Sequence, residues 1–229
     1  MKKKILGLIV ARKNSKGLIN KNIIKINSKP CIEWTFDAVK KSKLIDFTIL
    51  STDSYKIIKL AKKNKIFCPF VRPNRLSGDK SEVHGVINHS LKWLKENLDY
   101  QFKYILLLQA SSPLRTHKHI DEAIKFYFKN STNNKDTLVS VVKSPIKTNW
   151  LLKKNGKYVS FLFKQKKNNM RQHNPIYYHP NGAIFFAKIE SYKNNFYAKN
   201  TLFFEMDEKS SVDIDSLEDV KKANLNFKS

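Results

Sequence analysis

The chain has 229 residues, enough for one large domain with its own core, and its two cysteines, Cys31 and Cys68, are too few for a disulfide framework or a zinc site. Its 44 Lys and Arg outnumber 19 Asp and Glu, a formal charge of +25 that attracts polyanions in general. The excess is mostly Lys, spread from end to end and accompanied by abundant Asn and Ile, as compositional bias alone produces; zinc-finger spacing and an aromatic RNA-recognition signature are absent, so nucleic acid is not the expected partner.

The run Ile5–Ala11 reads as a buried strand. It follows three lysines as a secretory signal would, but it meets Arg12 and Lys13 with no cleavage pattern, and no apolar run approaches the about 20 residues that span a bilayer. A cytoplasmic protein without membrane contact is the expectation. Further strands are predicted over 47–51, 67–71, Tyr104–Gln109 and 137–142, with helices over 31–43, 55–65, 83–97 and 118–129. In the third helix Val83, Ile87, Leu91, Leu94 and Leu98 recur at steps of three and four and predict one apolar face. Strands alternating with longer helical segments predict an α/β fold, a mostly parallel sheet flanked by crossover helices. Over 143–180 the grammar turns irregular, with only 158–163 reading as a strand; this predicts an insertion protruding from a single domain that spans 1–229. Strand signals resume at 182–187 and Thr201–Glu205, and a last helix follows Asp215.

Four groups of residues carry chemical information. After the first strand, Arg12, Lys16 and Lys21 supply cations while Ser15 and Gly17 let the backbone approach an anion closely. This suits a triphosphate at the carboxyl end of a strand, although a solvated basic turn has the same composition, and the spacing is neither a Walker A nor a Rossmann fingerprint. Gln109 to Arg115 places polar groups at the end of another buried strand, where open α/β sheets bind ligands; a turn in which Ser111 or Ser112 caps the next helix reads equally well. Asp213 and Asp215 share one side of an extended backbone and could hold one Mg²⁺ against phosphate oxygens, while Asp215 to Glu218 also reads as a capping box. Asp53 at a strand end, Arg171 in the insertion and the turn from His179 to Gly182 are weaker signals. With no His-x3-His pair and no Gly-x-Ser-x-Gly elbow, the residues for zinc-protease or serine-hydrolase chemistry are missing.

These motifs stand in one order: Ala11 to Gly17 with Lys21 and Asn22, Ser51 to Asp53, Arg72 to Asp79, Leu107 to Arg115, Arg171 with Gln172, Pro180 to Ile184, and Asp213 to Asp215. In that order, over nearly its full length, the chain resembles the CMP-sialic acid synthetases, or acylneuraminate cytidylyltransferases. The resemblance implies a Rossmann-like, GT-A-like nucleotidyltransferase sheet whose insertion forms a homodimerisation arm. It implies an enzyme that joins CTP to a sialic-acid-like nonulosonic acid, such as N-acetylneuraminate or legionaminate, giving the CMP-sugar and pyrophosphate for surface polysaccharide synthesis. By the same resemblance Arg12 and Lys21 hold the triphosphate and act in catalysis with Asp215. Ala11, Ser15, Lys16, Gly17, Asn22, Arg72 and Ser81 complete the nucleotide site, and Asp213 and Asp215 carry Mg²⁺. Gln109, Arg171, His179, Asn181, Phe185, Phe196 and Tyr197 form the sugar site. Three positions depart from the pattern: Lys13 stands where Gly or Gln is usual, in a loop that keeps Gly17, while His179 stands where relatives acting on N-acetylneuraminate carry Arg and Phe185 where Tyr is frequent, and the last two leave the acceptor open. The rival readings are a CMP-Kdo synthetase, disfavoured by the Ser-Lys-Gly loop, and a basic nucleic-acid or polyanion-binding protein on a degenerate transferase fold.

Overall fold

The computed structural model describes residues 4–13, 17–79, 81–133, 136–145, 151–162, 176–190, 192, 195–197 and 199–227. Along the chain run β1 (Ile5–Ala11), β2 (Lys25–Ile26), β3 (Lys29–Pro30), α1 (Cys31–Lys41), β4 (Phe47–Thr52), α2 (Tyr55–Lys63), α3 (Val83–Leu98), β5 (Tyr104–Gln109) and α4 (His117–Asn130). Then follow β6 (Thr137–Lys143), β7 (Leu152–Asn155), β8 (Tyr158–Phe161), β9 (Tyr178–Lys188), β10 (Thr201–Glu205) and α5 (Leu217–Asn226). Six strands form the central sheet in the order β10-β6-β9-β5-β1-β4. β1 lies parallel to β4 and β5, and β6 to β10, while β9 runs antiparallel to both β5 and β6. The sheet is therefore mostly parallel, as the alternation of strands and helices predicts.

Side-chain alternation divides the core in two. Ile5 and Ile9 of β1 pack with Leu106, Leu108 and Phe186 beneath α1, α2 and α4, whereas Leu6 and Leu8 point the other way, toward Ile105, Leu107 and the Ile87 and Leu94 of α3. Burial on both faces explains why these strands read as continuous apolar runs. A third, smaller cluster, Ile26, Cys31, Val212, Ile214 and Ala223, ties α5 to the β2–β3 hairpin. That hairpin turns through Asn27 and Ser28, both at positive φ (47° and 65°), as a two-residue primed turn requires.

Four sequence expectations are corrected. Residues 67–71 form no strand beyond an isolated bridge between Phe67 and Ile49, because Pro69 cannot donate to a ladder. The buried face of α3 centres on Val86, Ile87, Ser90 and Leu94, and Val83 and Leu98 lie at its exposed margins. The turn expected from His179 to Gly182 is part of β9: a register shift in β6 between Val139 and Val141 and a φ of 71° at Gly182 let the strand continue through it. Finally, α5 is capped one residue later than Asp215, by Ser216, whose side chain and that of Asp219 form a reciprocal capping box. Within the insertion, β7 and β8 pair as an antiparallel hairpin. Among the described residues no helix is long and apolar enough to cross a membrane.

Candidate active site

The carboxyl ends of β1 and β5 open onto a cleft of about 330 Å³ that gathers Ala11, Arg12, Lys21, Asn22, Arg72, Ser81 and Gln109. A second cleft, of about 410 Å³, is walled by Gln109, His179, Asn181, Phe185, Tyr197 and Asp213. Gln109 belongs to both. Six of the residues expected around the nucleotide and five of those expected around the sugar thus meet at one strand end. Ser15, Lys16 and Arg171 lie outside the described residues.

On the first side, both cations already face an acid. Arg12 Nη1 donates to Asp79 Oδ1 at 2.7 Å and Lys21 Nζ to Asp215 Oδ1 at 2.6 Å. The loop between them is held by its backbone: the Lys13 amide donates to Asp53 Oδ1 at 2.7 Å, and Asn22 Nδ2 to the Arg12 carbonyl at 3.0 Å. Asp53 therefore holds Lys13 at the start of the loop, and Ser54, not Asp53, stands at the cap position of α2. Gly17 is needed for close approach, since a Cβ there would lie 2.6 Å from the Asp215 carbonyl oxygen. Arg72 lies under the cleft floor, 5% exposed, donating to Ser51 Oγ at 3.0 Å, to the Ser51 carbonyl and to the Ala11 carbonyl at 3.4 Å. Burial pulls its guanidinium down to about 10, so it stays charged at neutral pH while its donors serve the strand ends.

Between the clefts, Ser111 holds the approaching C-terminal segment through its carbonyl, which accepts the Ile214 amide at 2.9 Å. The helix after this turn is capped by Thr116, which removes the capping alternative for Ser111 and Ser112. Asp213 Oδ1 is buried with no hydrogen-bond partner. Burial pushes the Asp213 carboxyl above its ordinary value, and Asp215 and Asp219 push the same way, against Ser111 and Lys21. Such an orphaned buried oxygen suits a cation, and Mg²⁺ needs only one or two protein carboxylates when phosphate oxygens and water complete its shell. Among the described residues no group of three acidic, His or Cys side chains is placed to hold a metal ion.

The second cleft is shaped more by packing than by free polar groups. Asn181 is 5% exposed and fully engaged: Oδ1 accepts from Ser140 Oγ at 2.5 Å and the Ala183 amide at 3.2 Å, and Nδ2 donates to Ser211 Oγ at 2.9 Å and Met206 Sδ at 3.4 Å. Its amide replaces ladder bonds lost at the β6 irregularity, so it positions the wall. Gly182 presses against Asp213 and Gln109, for a Cβ there would lie 3.3 Å from Asp213 Oδ2 and 3.5 Å from Gln109 Oε1. Phe185 lines the cleft, with the Phe196 ring tilted against it at a centroid distance of 5.3 Å, and Tyr197 forms an exposed rim. His179 is exposed at the mouth.

Sequence reasoning left Arg115, Asp219, Lys222 and Asp79 without a role. Arg115 is 1% exposed and braces the site from below, donating to the Gln109 carbonyl (3.0 Å), the Ala183 carbonyl (2.9 Å) and Thr35 Oγ1 (2.6 Å). Burial lowers it to about 10. Asp219 and Lys222, from the first turns of α5, line the second cleft; only the fold brings that helix beside Gln109.

A family model described as cytidylyltransferase matches residues 6–227. The chain is similar to the N-acylneuraminate cytidylyltransferase of Escherichia coli O18:K1:H7 (strain RS218 / NMEC), 32% identical over 226 residues, covering 97% of this chain and 52% of that protein. It thus spans about half the length of that relative. It is also similar to the CMP-N,N'-diacetyllegionaminic acid synthase of Campylobacter jejuni subsp. jejuni serotype O:2 (strain ATCC 700819 / NCTC 11168), 34% identical over 221 residues, covering 95% of this chain and 92% of that protein. Among solved structures, CMP:2-keto-3-deoxy-manno-octonic acid synthetase complexed with CTP superposes with a TM-score of 0.69 over 98% of each chain, at 12% identity, a likeness of fold alone.

Proposed function

The chain belongs to the cytidylyltransferase family, and from that premise we propose that it joins CTP to a sialic-acid-like nonulosonic acid, releasing the CMP-sugar and pyrophosphate. The observation that carries this reading is the pair of clefts meeting at Gln109, one lined by Arg12 and Lys21 and the other by the aromatic wall of Phe185 and Tyr197. A triphosphate entering the first cleft takes Arg12 and Lys21 from their acidic partners, and their charge is then set against the phosphate oxygens. The acceptor hydroxyl attacks the α-phosphorus and gives up its proton, to Asp215 or to solvent, while the α-phosphorus–oxygen bond breaks and pyrophosphate leaves with that oxygen, so the residues work by aligning two substrates and neutralising charge. Gln109 touches both clefts and is placed to orient the acceptor against the nucleotide. Asp213 and Asp215 would hold Mg²⁺, which supplies Lewis-acid polarisation of the phosphate when bound. Asp215, whose Oδ1 is drawn to Lys21, is also the carboxylate proposed to act in catalysis.

Dimerisation through the 143–180 insertion belongs to the same proposal, supported by the exposed apolar residues on the β7–β8 hairpin. The CMP-Kdo reading rests on fold likeness alone, at 12% identity. Incubating the purified chain with CTP, Mg²⁺ and a panel of nonulosonic acids tests the proposal: pyrophosphate release with at least one acid is expected. Folded protein that is silent across the panel, yet binds DNA or RNA tightly with a steep salt dependence, would return the polyanion-binding reading.

A further inference from the structure

The cap of α5 makes one bond that the helix does not need. A reciprocal capping box is complete when the Ser216 amide donates to the Asp219 side chain and the Asp219 amide to Ser216 Oγ, here at 2.8 and 3.2 Å. Asp219 Oδ2 accepts two further donors, the Ser216 hydroxyl at 2.7 Å and the Asp215 amide at 3.1 Å. Asp215 precedes the cap, so this last bond satisfies none of the first amides of the helix. It holds instead the backbone of the residue whose carboxylate the proposed reaction uses. Resting on that reaction, we propose that Asp219 is a positioning residue, whose carboxylate holds the Asp215 peptide so that the Asp215 side chain faces Lys21 and the nucleotide cleft.

Asp215 depends on such support. Its side chain is 68% exposed, and a side chain so solvated takes its direction from the backbone that carries it. Three contacts hold that backbone. The buried Ile214 donates its amide to the Ser111 carbonyl at 2.9 Å, and the Asp215 carbonyl oxygen presses against Gly17, where a Cβ would lie 2.6 Å away. The third is the Asp215 amide on Asp219, a bond of the stronger, charge-assisted kind. With all three in place, Asp215 Oδ1 meets Lys21 Nζ at 2.6 Å. Removing the Asp219 carboxylate frees the peptide between Ile214 and Asp215 to turn, and a displacement of about 1 Å in a reacting site costs on the order of a hundredfold in rate. Asp219 also lines the acceptor cleft, so direct contact with the acceptor is the rival role, and the two differ in which constant they move.

The test compares Asp219→Ala, Asp219→Asn and Ser216→Ala by pyrophosphate release and by residue-resolved amide exchange on the metal-free protein. Asp219→Ala is expected to lower kcat about tenfold or more, with the KM for CTP and for the acceptor within about twofold of wild type. In the same variant the Asp215 amide should exchange about fivefold faster. Asp219→Asn, whose side-chain oxygen still accepts, is expected to restore most of both. Ser216→Ala breaks the capping box but leaves Asp219 on the Asp215 amide; it should lower the thermal midpoint by about 2–4 °C and keep kcat. A role in the helix alone predicts that both alanine variants lose stability and neither loses kcat. If Asp219→Ala keeps the wild-type kcat, if it raises the acceptor KM alone, or if Ser216→Ala loses kcat as fully, the assignment of Asp219 is overturned and the proposed reaction stands. If the wild-type chain releases pyrophosphate with no acid sugar, the proposed reaction falls and this inference with it.

Discussion

At the scale of single residues, the site holds its charges in an arrangement that suits a ligand better than it suits the protein alone. Asp213 shows this most clearly, because its buried Oδ1 has no partner and burial raises its carboxyl above the ordinary value. The linkage follows from the sign of that shift. An acid whose folded-state value exceeds its unfolded one binds the proton better when folded, so stability falls as pH rises from the ordinary carboxylate value through the raised one. Asp213→Asn removes that cost together with the proposed Mg²⁺ ligand. Its turnover is expected to drop roughly a hundredfold or more, and its thermal midpoint at neutral pH is expected to hold or rise. In the metal-free wild type, the thermal midpoint should fall as pH rises through the range just above that of an ordinary Asp, and Asp213→Asn should flatten that fall, read by calorimetry. Arg12 gives a second residue-level prediction. Its pair with Asp79 is half in solvent (side chains 33% and 49% exposed), so Asp79→Asn should tighten CTP binding modestly, on the order of threefold by calorimetry.

At the scale of elements, legibility followed the physics of each signal. β1, β5 and β10 were readable to the residue, because strands in such a sheet are apolar runs bounded by polar turns. The run 67–71 carries the same apolar composition, but Pro69 removes a donor, and composition alone does not register that loss. Asp215 and Ser216 both fit the rule for a helix cap; the fold chose Ser216, and that one-residue choice leaves the Asp215 carboxylate for Lys21. The sequence shows Arg115 only as the end of a motif, since a buried Arg reaching three acceptors on β5, β9 and α1 is a long-range arrangement with no local signature. Arg115→Met leaves those acceptors unpaired beneath Gln109 and should destabilise the protein by about 3 kcal/mol or more, read from urea unfolding. Gly17 joins the first loop to the C-terminal segment in the same way. Gly17→Ala forces the loop away from the Asp215 backbone and should cost about 1–3 kcal/mol, with weaker CTP binding.

At the scale of the whole molecule, the sheet core accounts for itself, and the insertion does not. An isolated two-stranded hairpin is marginal in water. On β7 and β8 the register pairs Leu152 with Phe161 and Lys154 with Val159, which puts Leu152 and Val159 on one face and Tyr158 on the other. All three are more than half exposed, at 53%, 64% and 68%. An arm with apolar residues on both faces loses little by being covered, and a second copy of the chain offers the same apolar surface in return, as a two-fold interface requires. The proposed dimer therefore depends on residues remote from either cleft. Val159→Asp with Leu152→Lys should yield a monomer by sedimentation at concentrations where the wild type is dimeric, while the core keeps its cooperative unfolding. If the acceptor site is completed across the dimer, acceptor KM rises in that monomer and CTP-induced stabilisation persists; if each protomer is self-sufficient, both constants stay at their wild-type values.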